Sequence, residues 1–99
     1  MKIENIISFE QQVMNKIVDF DFRKYNRDRI PYETFGYDAR RNLIYYETDN
    51  HKFWREFDEN GMLLCTKTLM ICEDHDIEFW DVYDKQGNII DKKMQYLKR

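Results

Sequence analysis

The sequence is poor in residues that interrupt or staple a chain: three glycines, one proline and two cysteines stand among 99 residues. So little glycine and proline leaves no room for a flexible linker and few places for long irregular loops. Two cysteines cannot form a disulfide framework. Cys65 and Cys72 are seven apart; on one strand they would face opposite ways, out of reach of each other. No apolar run approaches the roughly 18 residues of a membrane span. Glu4 and Asn5 stand where a secretion signal would begin its apolar stretch, so none is expected, and a reducing cytoplasm is the expected setting. Phosphate-binding glycine loops, a nucleophile elbow and the HExxH zinc motif are absent. The length supports a single domain, too short for a two-half dinucleotide fold.

What is present is apolar and aromatic matter, with much charge. Apolar residues make up 42% of the chain and charged ones 35%, with sixteen aromatics, enough for a packed core rather than a disordered chain. The net charge of −3 argues against a generally basic nucleic-acid domain. Its distribution is uneven. Arg23, Lys24, Arg27, Arg29, Arg40 and Arg41 cluster in one region, and Glu73, Asp74, Asp76, Glu78, Asp81 and Asp84 follow one another with no Lys or Arg between them.

Ser8 with Gln11 three residues on fits a capping box, and Val13, Met14, Ile17 and Val18 recur at helical spacing. A helix is expected over about 3–20, followed by a basic connector over about 21–31. Phe20 and Phe22 alternate with Asp19 and Asp21, which marks a change of period. Beyond Pro31 three segments share an aromatic-Asp-x-x-Gly-x-apolar-apolar pattern. They are Tyr37-Asp38 to Leu43-Ile44, Phe57-Asp58 to Leu63-Leu64 and Tyr83-Asp84 to Ile89-Ile90. Each reads as a β-hairpin, with the Asp side chain bonding its own turn and glycine in the left-handed position. Arg41 replaces that glycine in the first copy, so that turn is either strained or closes with Asn42 left-handed. Further turns at Thr48–His51 and Glu73–Asp76 complete a meander over about 32–97. The expected class is α+β, an N-terminal helix packed on an antiparallel sheet of five to six strands, near 33–38, 42–48, 51–58, 62–72, 77–84 and 88–96.

The segments Phe57-Asp58-Glu59-Asn60-Gly61-Met62-Leu63 and Tyr83-Asp84-Lys85-Gln86-Gly87-Asn88-Ile89 resemble the hairpins of YD-repeat (Rhs-type) proteins. The resemblance covers about a third of the chain. It implies hairpins and carries over no catalytic residue. In size, charge and composition the chain also looks like small inhibitors of phage and mobile elements, such as anti-CRISPR or other anti-defence proteins, and like toxin-immunity proteins.

Strand parity places Phe57 beside Leu63, Arg55 beside Cys65 and Phe53 beside Lys67. It sets Tyr46 on the Phe53 face and Tyr45 with Trp54 on the other. Both faces are therefore partly apolar, and one short helix can cover only one of them. Either sheet curvature and the flanking apolar residues cover the second face, or a partner does. Tyr45, Tyr46, Trp54, Arg55 and Trp80 are the candidate contact residues, of the types interfaces favour. The acidic stretch is either a solvated, charge-protected turn and edge or a patch that docks on a basic partner. Cys72 and His75 offer a partial ligand set, short of the four of a closed zinc site, and a thiol–imidazole pair without an orienting third group. No metal, cofactor or catalytic residue is expected. The expected function is non-enzymatic protein binding that blocks a partner through the acidic hairpin and exposed aromatics. The alternatives are nucleic-acid contact through the Arg23–Arg41 region and a homodimeric structural domain.

Overall fold

The computed structural model describes residues 8–23 and 32–98. A short helix, α1 (Phe9–Asn15), precedes seven strands: β1 (Asp19–Arg23), β2 (Glu33–Tyr37), β3 (Leu43–Thr48), β4 (His51–Phe57), β5 (Leu63–Ile71), β6 (His75–Tyr83) and β7 (Ile89–Lys98). The strands form one antiparallel sheet in sequence order, so every neighbour in space is a neighbour in the chain. The class is α+β, with β1 and β7 as the edge strands.

Ser8 caps α1: its backbone is extended and its Oγ accepts the Gln11 amide at 3.2 Å. The Gln11 side chain completes no capping box and instead donates to Asn15 Oδ1 at 2.8 Å. Two turns of helix are unstable alone in water, so α1 is held by what it covers. Val13, 1% exposed, packs with Ile44, Tyr45 and Trp54, and Phe9, Met14, Ile17, Phe57 and Leu69 surround this core. Gly36 admits the chain leaving the helix. A Cβ there would lie 2.8 Å from Ile17 Cδ1 and 3.1 Å from Tyr45 Cβ.

Three of the hairpins close identically. Asp38 Oδ1 accepts the amides of Arg40 and Asn42, both at 2.9 Å. Asp58 Oδ1 accepts those of Asn60 and Met62, at 2.8 and 2.9 Å. Asp84 Oδ1 accepts those of Gln86 and Asn88, both at 2.9 Å. The third residue after each Asp has a positive φ: 68° at Arg41 and 86° at Gly61 and Gly87. Each hairpin then steps register by one residue, at Gly36/Tyr37, Glu56/Phe57 and Val82/Tyr83. The residues left over are Ile44, Leu64 and Ile90, each six beyond its Asp. A bulge of this kind re-aims a side chain. At Ile44 the re-aimed residue enters the core under the helix, 2% exposed.

Several expectations change. The helix ends at Asn15 rather than near residue 20, and Val18 already donates its amide to the Tyr37 carbonyl, opening the β1–β2 ladder. Asp19–Arg23 is a strand, not connector or helix, and the sheet has seven strands rather than five or six. The alternating Asp-Phe-Asp-Phe pattern is what a strand needs, and the neighbouring strand Glu33–Tyr37 supplies its pairing. The rest of the expected connector, and the helix before Ser8, lie outside the described residues. Phe57 does pair with Leu63, but the bulge sets Arg55 against Thr66 and Phe53 against Thr68 instead of Cys65 and Lys67. Of the two closures open for the first turn, the strained one holds: Arg41 itself takes the left-handed position rather than Asn42. β6 starts at His75, inside the expected Glu73–Asp76 turn.

Candidate interaction face

The two faces of the sheet are chemically unlike. The face under α1 carries a cross-strand row of Tyr45, Trp54, Lys67, Trp80 and Lys93. Tyr45 is 4% exposed and Trp54 6%. Their rings lie 5.8 Å apart, and Phe9 of the helix meets Trp80 at 5.2 Å. Lys67 is buried in this row. Its ammonium lies 4.7 Å from the centroid of Trp80 and 5.7 Å from that of Trp54. It bonds Glu10 of the helix at 2.7 Å and Glu78 of β6 at 2.8 Å. Burial pushes its ammonium pKa down, but the hydrogen bonds to the two carboxylates outweigh burial and hold it above the usual lysine value. Lys16 adds a looser tie to Glu56 at 3.4 Å.

At the same face Glu47 gathers two phenols, Tyr45 on Oε1 and Tyr32 on Oε2, the latter at 2.5 Å. Burial pushes the Glu47 carboxyl up, but the two hydroxyls and Lys52 outweigh it and leave its pKa below the ordinary value. Burial, followed by the Glu47 contact, raises the Tyr45 hydroxyl well above the ordinary phenol value.

The opposite face carries Phe35, Tyr46, Phe53, Thr68, Phe79 and Met94 in one cross-strand row. A second row runs Thr48, His51, Met70, Ile77 and Tyr96. The aromatic groups support one another laterally: Phe35 with Tyr46 at 5.1 Å, Tyr46 with His51 at 5.9 Å, and His75 with Tyr96 at 5.7 Å. The Arg55 guanidinium lies 5.0 Å from the Phe53 ring centroid. Met70, Met94 and Tyr96 remain 42%, 58% and 64% exposed. Among the described residues no helix lies on this side: the contacts of α1 run to the other face.

The candidate aromatic residues therefore divide. Tyr45 and Trp54 are core under the helix, and Trp80, half-buried, packs on Phe9 on that same face. Tyr46 and Arg55 lie on the helix-free face. Phe35, Phe53, Phe79, Met94 and Tyr96 join them there. Their period-2 alternation was legible, but which parity the helix leaves bare was not.

The acidic residues do not form one patch either. Glu78 holds Lys67 in the interior, and Asp84 closes a hairpin. Asp81 lies on the helix-free face in the row Arg55, Thr66, Asp81, Lys92. Asp76 takes the opposite parity at the start of β6. Only Glu73 and Asp74 sit at an exposed turn, with Asp74 2.6 Å from His75 Nδ1. Of the basic residues, Arg40 donates its guanidinium to the Glu59 carbonyl and Arg41 occupies the turn beside it. Arg23 ends β1. Lys24, Arg27 and Arg29 lie outside the described residues.

Cys65 and Cys72 are both free thiols, and burial, with Glu56 and Asp81 nearby, pushes Cys65 up, away from a reactive thiolate. No cluster of three or more metal-type ligands occurs among the described residues. Nor is any helix there long and apolar enough to cross a membrane. Comparison with protein-family models, curated proteins and solved structures finds no match to this chain.

Proposed function

We propose that the chain is a small non-enzymatic protein-binding module of the inhibitor or immunity type, which blocks a partner by laying its helix-free sheet face against it. One observation carries this reading. An antiparallel sheet covered on one side by a helix normally turns a polar, alternating face to water. Here the helix-free side carries five Phe and Tyr rings and two methionines in its two rows. Aromatic, Met and Arg residues are the types enriched in interface cores. The phage and anti-CRISPR likeness enters only as a setting in which such blockade is used.

The test is a paired capture. The wild type and Met94→Lys are immobilised and exposed to the same bacterial lysate, with circular dichroism to verify folding. A partner retained by the wild type and lost with Met94→Lys supports the proposal. Equal capture by both proteins, or by neither, overturns it.

A further inference from the structure

Among the described residues, the charges bordering the helix-free face are divided between its two flanks. On the β1–β2 flank the register places Asp19, Asp21 and Glu33, with Arg23 at the strand end. On the β7 flank it places Lys92 and Lys98, with Asp81 on the adjoining strand. Between the flanks run the rows of Phe35, Tyr46, Phe53, Phe79 and Met94, and β4 lies midway, fourth of seven. From this arrangement we infer that the occupant of the face is a second copy of the same chain, stacked face to face about a two-fold axis along β4. The inference rests on the reading of this face as a binding surface and goes beyond it by naming what binds.

Two arguments select the occupant and its orientation. The first is charge. Rotation about the β4 direction exchanges the flanks, so β1 of one copy lies over β7 of the other, bringing Asp19 near Lys92 of the second copy, twice per dimer. Rotation about the perpendicular in-plane axis would set each flank over its own copy, acid on acid and base on base. The favoured axis carries costs: Arg55 of β4 meets its own counterpart across the axis, and Asp21 and Glu33 come to lie over Met94 and Ile77 of the second copy. The second argument is area. Seven strands at about 4.8 Å spacing, with central strands of roughly 20–25 Å, offer on the order of 600–700 Å² of face. A standard interface buries about 800 Å² per partner. Two such sheets packed about 10 Å apart form a sandwich whose core is the present bare face. Self-pairing and partner binding then compete for one surface, and the dimer stores the module with its aromatic face covered.

Sedimentation equilibrium of the purified full chain between about 5 and 500 μM tests this. The expected result is a monomer–dimer equilibrium. Lys92→Glu is expected to weaken the dimer about tenfold or more, and Asp19→Lys to do the same. The double variant Asp19→Lys/Lys92→Glu is expected to return to within about threefold of the wild type. The two residues sit at opposite edges of one sheet, so such restoration has to act between copies. A dimer unaffected by either reversal overturns the choice of face, and one weakened by both but not restored overturns the orientation. A wild type that stays monomeric throughout overturns self-pairing. If Met94→Lys still abolishes lysate capture in that case, the partner-binding reading survives without it.

Discussion

The covered and bare faces of this sheet alternate residue by residue along the same strands, yet they have different uses. Trp54 and Phe53 are sequence neighbours on β4. One is 6% exposed beneath a helix; the other is half-buried, with His51 and Arg55 beside its ring. Similar rings are thus spent on stability on one side and left to contact on the other. The difference lies in the companions supplied from a distance, Val13, Phe9 and Glu10 of α1, and not in the strands themselves.

Substitutions can break this comparison face by face. The largest effect is expected for Trp54→Ala, which empties the centre of the core and should cost about 3–5 kcal/mol. Met94→Ala on the bare face, measured at a concentration where the chain is monomeric, should stay within about 0.5 kcal/mol. Urea denaturation of the two variants measures both, and equal losses would mean that the bare face is also core.

Lys67 gives the next effect. Lys67→Ala leaves Glu10 and Glu78 without their shared cation and should cost about 3 kcal/mol. The same change at Lys93, on the same row but exposed at the edge, should cost less than about 0.5 kcal/mol. The pH dependence follows from the same group. The folded state holds the Lys67 proton, and the Tyr45 proton, more tightly than the unfolded chain does. Their contributions are complete below the ordinary values of 10.5 and 10.0 and are lost as pH rises through the folded ones. Stability should therefore fall from about pH 10 upward, and Lys67→Met should flatten that fall. An unchanged slope in the variant would remove Lys67 from the account.

The smallest effects sharpen a second comparison, between the first hairpin and the other two. Arg41 holds at φ 68° a conformation that Gly61 and Gly87 adopt without a side chain. Arg41→Gly should stabilise the protein by about 1 kcal/mol, and Gly87→Ala should destabilise it by a similar amount. Nothing lies within 4 Å of a Cβ built at Gly87, so the cost there is conformational rather than steric. Thermal melts that move both variants in the same direction would contradict the shared turn geometry.

Local features were legible because their causes are local. The Ser8 cap, the Asp38, Asp58 and Asp84 turns and the limits of β2 to β5 each depend on residues within one turn or hairpin. Sequence alone therefore determined a capped helix followed by a meander, with an apolar residue on nearly every strand of both parities. Only the tertiary structure decided which parity is core. The bulges at Ile44, Leu64 and Ile90 shift register by one, and a shift of one moves a side chain to the other face. The helix then buries whichever face Gly36 leaves low enough to approach. It pins Lys67 through Glu10, 57 residues away in the chain. Burial is a sum over distant contacts, so no window of sequence could assign Trp54 to the interior and Tyr46 to the surface.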